Sequence, residues 1–229
     1  MFSRFHEAIK IYHQLKSIND FDSLKELAEQ ATGKTKDEMA VPAYFSGNFL
    51  SRLVFFGRLA WFLQPIDYST ASSILDFGCG TGLLAPYIVE KGINYCGIDL
   101  TPETAQRYAS KLCLGRTEFH HSLNELAPSQ KFDHIISFDV LEHVDDPNNI
   151  LEQFKLMLTP GGQIALCGPT ENLLYHLGRK LVGFTGDYHH RNIDDIFQAA
   201  EQMEFITMKH RYWPLPGPAA LFKCRYLRL

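Results

Sequence analysis

The chain has 229 residues, 45% hydrophobic and 21% charged, the balance of a globular protein that buries one substantial core. Its formal charge is -4 with Lys and Arg scattered along it, so no extended basic surface is offered to a phosphate backbone and nucleic acid is not an expected partner. The five cysteines, Cys79, Cys96, Cys113, Cys167 and Cys224, are odd in number and widely spaced, which argues against a disulfide framework and for reduced thiols in a cytoplasmic protein.

The N-terminal residues carry charges every few positions, where an export signal needs an unbroken apolar run. Phe2, Phe5, Ile9, Tyr12 and Leu15 recur at three- and four-residue spacing and predict a first helix; Phe21, Leu24, Leu27 and Ala31 predict a second, stopped by Gly33. Thr35-Lys36-Asp37-Glu38 has the form of a capping box, so a short third helix is expected there. Phe49 to Leu63 is the most apolar stretch, but Arg52 and Arg58 interrupt it and Pro42 and Pro65 bound it. It reads as a buried helix, and no stable membrane insertion is expected. Residues 1–69 therefore read as a helical cap, joined in one compact unit to a second domain over residues 70–229.

From Ser72 short apolar runs alternate with helical stretches, the pattern of strand-helix-strand units in a largely parallel sheet. The runs are Ser73 to Phe77, Asn94 to Ile98, Thr117 to His120, His134 to Phe138 and Gln163 to Cys167. Thr101-Pro102 and Asp146-Pro147 each set a capping residue before a proline and predict helix starts. After a helix near Ile193 to Gln202, extended segments at Phe205 to Tyr212 and Ala219 to Leu227 are joined by a connection too short for a parallel crossover. They predict an antiparallel pair and bring the total to seven strands.

The chemistry is concentrated in Ile74-Leu75-Asp76-Phe77-Gly78-Cys79-Gly80-Thr81-Gly82-Leu83-Leu84. An apolar strand runs into a turn with glycines at alternate positions and then into a helix, so the backbone can pass close to a ligand at the strand ends. Seventeen residues beyond Gly82, Asp99 closes the second strand, where a carboxylate can accept hydrogen bonds from both ribose hydroxyls of an adenosine ligand. A dinucleotide fingerprint places its third glycine where this chain has Leu83.

The Gly-x-Gly-x-Gly spacing after Leu75-Asp76 resembles the first motif of class I S-adenosylmethionine-dependent methyltransferases. The segment Phe132 to Val144, ending Leu141-Glu142-His143-Val144, looks like that family's fourth-strand motif, and Leu158-Thr159-Pro160-Gly161-Gly162 like the turn before its fifth strand. The Leu-Glu-His-Val form is similar to the small-molecule branch that includes ubiquinone-type O-methyltransferases. The resemblance implies a Rossmann-like α/β fold, a seven-stranded mostly parallel sheet in the order 3-2-1-4-5-7-6 with strand 7 antiparallel and helices on both faces. It also implies S-adenosylmethionine as cofactor, held by Asp76, Gly78, Cys79, Gly80, Gly82, Asp99, Leu100 and Asp139. Where many relatives place an acidic residue against the adenine amino group, this chain has Ser122, followed by Leu123, and these are the expected adenine contacts.

Methyl transfer is an in-line displacement that depends on alignment and water exclusion. An oxygen acceptor must also lose a proton, and a histidine suits that task near neutral pH. His143, His189 and His190 are the candidate bases, each with an ordinary alternative: His143 packing at a strand-to-helix junction, the other two lying on a solvated loop. The adjacent pairs His120-His121 and His189-His190 do not share a face as metal ligands on regular elements do, so no metal is expected. Glu171 to Phe184 is amphipathic and reads either as a surface helix or as a lid over an apolar, lipid-like small-molecule acceptor. Tyr44, Asn48 and Arg52 either pack the N-terminal helices or close over the cofactor. Two other functions share parts of the motif: a non-catalytic cofactor-binding module that regulates a partner, and a nicotinamide-dependent reductase, which Leu83 and the Leu-Glu-His-Val motif disfavour.

Overall fold

Seven strands form one sheet in the order β3-β2-β1-β4-β5-β7-β6 in the computed structural model, which describes residues 2–30, 49–172, 175 and 191–229. The capping-box segment Thr35 to Glu38, Tyr44 and Asn48, His189 and His190, most of the amphipathic stretch 171–184, and the side chain of Arg52 lie outside the described residues. The chain gathers into two units, Met1–Leu126 and Ala127–Leu229; the segment 1–69 falls in the first, together with the first three strands.

In the first unit, β1 (Ser73–Phe77), β2 (Asn94–Ile98) and β3 (Thr117–His120) have the bounds read from the sequence and pair in parallel, Ser73 beside Asn94 and Tyr95 beside Thr117. The short helix α4 (Ala85–Val89) connects β1 to β2, and α5 (Glu103–Lys111) connects β2 to β3. Before them come α1 (Phe2–Ile18), α2 (Phe21–Gln30) and α3 (Phe49–Leu63). The third is buried along its C-terminal half, with Phe56, Leu59, Phe62, Leu63 and even Arg58 at 3% exposure or less. Arg58 sets its guanidinium 5.3 Å from the Phe55 ring, so it is part of the packed helix and not a polar break in it. No helix among the described residues is long and apolar enough to cross a membrane.

The phase of α1 differs from the expected stripe. Its buried row is Ala8, Ile11 and Leu15, while Phe5 and Ile9 are exposed. The cause is a polar anchor at the helix end. Buried Asn19 donates to the Leu15 carbonyl at 2.8 Å and accepts from the Tyr108 hydroxyl of α5 at 2.8 Å, and that hydroxyl accepts from the Asp20 N–H at 3.0 Å. Asn19 continues the row 8-11-15, so satisfying its amide turns that row inward, and size alone does not choose the face.

The second unit holds β4 (Phe132–Phe138), α6 (Pro147–Met157), β5 (Leu158–Pro169), α7 (Ile193–Gln202), β6 (Ile206–Pro214) and β7 (Ala220–Arg228). Here β4 and β5 are parallel, and β7 runs antiparallel to both β5 and β6, as the short connection required. Asp146 caps α6 by accepting from Asn149 N–H at 3.1 Å, and Asn192 with Asp195 forms a capping box on α7. The cap expected from Thr101 does not form. Pro102 holds the cap position of α5, and the Thr101 N–H donates instead to Asp99 Oδ1 at 3.1 Å.

The segment Leu158 to Gly162, expected as a turn, is the first part of β5. Phe132 pairs with Leu158 but His134 pairs with Gln163, so extra residues are accommodated in an irregularity of the ladder. Gly162 makes this possible: a Cβ there would stand 2.9 Å from the Thr159 carbonyl oxygen and 3.1 Å from that of Asp133. Because both neighbours are backbone, Gly162→Ala is expected to lower stability by about 1–3 kcal/mol, seen as a reduced urea midpoint at unchanged slope.

Candidate functional site

The carboxyl ends of three parallel strands meet in the first unit, in register: Phe77 beside Ile98, and Ile98 beside His120. The turn after β1 is fastened to the end of β2. Gly78 and Cys79 both donate their N–H to the Ile98 carbonyl, at 2.7 and 3.0 Å, and Gly80 N–H donates to Asp99 Oδ2 at 2.8 Å. Asp99 N–H in turn donates to the His120 carbonyl at 3.1 Å.

The turn's glycines serve different needs. Gly80 has a φ of +54° with nothing within 4 Å of the place a Cβ would occupy, so it keeps the backbone in the left-handed region and leaves open space above it. Gly82, at +74°, lies where a Cβ would meet the Ala105 Cβ of α5 at 3.0 Å, so its absence of a side chain brings helix and turn together. Cys79 points away from that open space. Its buried Sγ lies 2.8 Å from the position of a Cβ on Gly97, so only the Cys79 backbone is available to a ligand at the turn.

Asp99 is half-buried, and each carboxylate oxygen holds one backbone N–H, from Gly80 and from Thr101. The Thr101 hydroxyl also donates to Oδ1, at a long 3.5 Å, so Oδ2 keeps an open acceptor site for a diol such as a ribose and Oδ1 offers a second by exchanging that long bond. Leu100 beside it is 83% exposed, an apolar surface on which a flat ring can lie. After β3, Ser122 is half-buried in extended backbone, Leu123 is buried, and Glu125 N–H donates to the Ser122 carbonyl at 3.2 Å. These groups fit the adenosine part of a nucleoside ligand.

Asp76 lies beneath the turn, 4% exposed, accepting from the Tyr95 hydroxyl at 2.6 Å. Burial pushes its carboxyl up to about 7 despite that hydrogen bond, and the nearby Asp99 charge adds to the rise. Burial likewise drives the Cys79 thiol far above the ordinary thiol range, which keeps it protonated and unreactive.

The second unit presents Asp139 just after β4, at a positive φ of 59°, its N–H donating to the Cys167 carbonyl at 2.9 Å. His143 is exposed and ends the single turn Leu141–His143, whose N–H bond to the Val140 carbonyl is 2.9 Å long. Sequence reasoning missed Tyr95, Gly97 and Thr101, which hold Asp76, admit the Cys79 sulfur and bind Asp99. Tyr95 and Gly97 are two apart in β2 and so face the same way, a signal that becomes useful only when the register with β1 is known.

The raised Asp76 carboxyl makes stability depend on pH with a definite sign. Between the ordinary carboxylate range near pH 4 and about pH 7 the folded chain holds a proton that the unfolded chain has released, so this group's contribution to stability falls as pH rises through that window. Asp76→Asn lacks the slope and keeps an acceptor for Tyr95. Its stability relative to the parent protein is expected to increase by on the order of 2–4 kcal/mol from pH 4 to pH 8, measured by urea unfolding at each pH.

Residues 21–223 match the family described as a methyltransferase domain. The chain is 31% identical to a ubiquinone biosynthesis O-methyltransferase of Leptothrix cholodnii over 48% of its own length and 49% of that protein's, so it spans about half of that relative. It is 26% identical to the enzyme of the same name from Acinetobacter baylyi over 70% of this chain and 78% of the other. In fold it is similar to the magnesium protoporphyrin IX methyltransferase of Synechocystis, solved with bound S-adenosylhomocysteine, at a TM-score of 0.60 and 18% identity over 85% of this chain and 94% of that one. With the family matched across most of its length and the seven strands in the corresponding order, the chain belongs to the class I S-adenosylmethionine-dependent methyltransferases.

Proposed function

We propose that the protein transfers a methyl group from S-adenosylmethionine to an oxygen of a small, apolar acceptor, with Asp99 holding the cofactor's ribose. The observation that carries this reading is the arrangement at the end of β2: a carboxylate tied to the glycine turn by the Gly80 N–H, with acceptor capacity left on Oδ2, only a long Thr101 hydroxyl bond occupying the second site on Oδ1, and exposed Leu100 beside it. The cofactor supplies an activated methyl on a sulfonium cation. The chain's part is to bind and orient. Asp99 would take the ribose hydroxyls, Leu100 the adenine face, Ser122 or Leu123 the adenine edge, and the turn, with open space at Gly80 between Gly78 and the helix-packed Gly82, the rest of the nucleoside. Asp76 would add negative charge beneath the turn once it ionises above about pH 7, and Asp139 is the second unit's candidate cofactor residue.

Oxygen as the target, and an apolar acceptor, rest on the relatives named for ubiquinone biosynthesis and on the amphipathic stretch after β5. A hydroxyl acceptor gives up a proton as its oxygen becomes the nucleophile. His143 is the base we assign, because it is exposed at the carboxyl end of β4 and imidazole titrates near neutrality; His189 and His190 are the alternatives. No step needs a metal.

Isothermal titration with S-adenosylhomocysteine beside NADH tests the cofactor. Micromolar binding of the former alone is expected, and binding of NADH alone would overturn the reading. Asp99→Ala should weaken S-adenosylhomocysteine binding by about 1–3 kcal/mol, and unchanged affinity would remove the ribose role. Once a methyl acceptor is found by screening hydroxylated aromatic compounds with radiolabelled cofactor, His143→Ala should leave cofactor affinity intact and slow turnover by roughly 100- to 10,000-fold. An unaltered rate would pass the role of base to another group.

A further inference from the structure

Within the first unit a cluster on β2 and β3 takes no part in the cofactor site. Cys96 and Glu118 are direct neighbours in the parallel ladder, and His120 follows Glu118 by two residues, so the three side chains project from one face of the sheet. A sulfur, a carboxylate oxygen and an imidazole nitrogen, one from each, all lie within 4.8 Å of one another. Cys96 is buried with the Glu118 carboxylate beside its thiol, while Glu118 itself is open to solvent.

His120 is the informative member. Its Nε2 is shut away from solvent without a hydrogen bond, 3.7 Å from Glu118 Oε2. Its Nδ1 is 3.6 Å from Glu125 Oε2, on the turn after β3. A buried ring nitrogen with no partner costs free energy unless something accepts its lone pair. A carboxylate behind the opposite nitrogen is the arrangement that fixes the tautomer and orientation of a metal-binding histidine.

We propose that Cys96 Sγ, Glu118 Oε2 and His120 Nε2 bind a zinc-class divalent cation, with Glu125 orienting the imidazole and water completing a tetrahedral set. Bond lengths of about 2.0–2.3 Å put the ligands of such a set roughly 3.3–3.8 Å apart, a distance the cluster reaches with sub-ångström side-chain movement. Thiolate and imidazole select zinc over magnesium or calcium, which take oxygen ligands. On binding, the Cys96 S–H gives its proton to solvent and the thiolate and carboxylate together balance the two positive charges. The ion would tie the edge strand β3 to β2, beside the His120 carbonyl that accepts the Asp99 N–H. Comparing His120 only with its neighbour His121 hides the site, because the partners lie across the ladder and two residues back. His121 pairs elsewhere, with Glu103 at 3.4 Å.

The test is titration of the full chain, stripped with chelator, with cobalt(II) alone. One equivalent should produce a thiolate-to-cobalt charge-transfer band in the near ultraviolet and the intense visible bands of tetrahedral coordination, both lost on adding one equivalent of zinc. Cys96→Ser should abolish the charge-transfer band, Cys113→Ser, at the exposed thiol, should retain it, and Glu125→Gln should weaken binding roughly 10- to 100-fold. Circular dichroism and S-adenosylhomocysteine titration of each variant report whether it is folded, independently of the metal. Absence of the bands in the parent protein, or their persistence in folded Cys96→Ser, overturns the proposal.

Discussion

Everything at the strand ends depends on how the turn after β1 satisfies its backbone. A chain that passes three glycines at alternate positions leaves several N–H groups with no helical or ladder partner, and buried donors cannot be left so. Here β2 supplies the acceptors: the Ile98 carbonyl takes two of them and the Asp99 carboxylate a third. The glycine turn and the acidic strand end, which in the sequence look like two separate signals, are one hydrogen-bonded object. Substituting Asp99 therefore removes an internal partner of the turn as well as the proposed ribose acceptor, so part of any lost affinity would reflect a less ordered turn.

The electrostatics arise from the same packing. Two carboxylates lie close under and beside the turn, one buried with its acidity reduced and one half-exposed. Like charges held together in a site of low dielectric resist ionisation, and a cation arriving there relieves the repulsion. On the proposed function, this arrangement would favour a positively charged nucleoside over a phosphorylated one. The Gly97 and Cys79 pair adds to this by filling the space beneath the turn with an uncharged thiol.

Much of this was legible in the sequence, and the exceptions share one cause. The bounds of β1, β2, β3 and α7, and the cap at Asp146, come from local pattern: apolar runs, a capping residue, a proline at the first helical position. The misread places need long-range pairing. Ala8, Ile11 and Leu15 face inward because Asn19 reaches Tyr108 of α5, far along the chain. Thr101 abandons its helix cap for Asp99, and Leu158 to Gly162 becomes strand because Phe132 and Asp133 lie alongside. In the candidate site, spacing alone singles out the glycines and Asp99, whereas Tyr95, Gly97 and the grouping of Cys96 with Glu118 and His120 depend on ladder register, which no local window contains.

The division of the chain bears on how its specificity is written. Gly78, Gly80, Gly82, Asp99, Leu100, Ser122 and Leu123 all belong to the first unit, whereas Asp139 and His143, and the segments after β5, belong to the second. The groups that fit an adenosine are thus positioned by contacts internal to residues 1–126. On the proposed function, substitutions beyond Ala127 would change the acceptor chemistry while leaving the turn and its clamp intact, because function resides in the site and not in the sheet that carries it. On the same proposal, the acceptor would be sought through the second unit's own side chains.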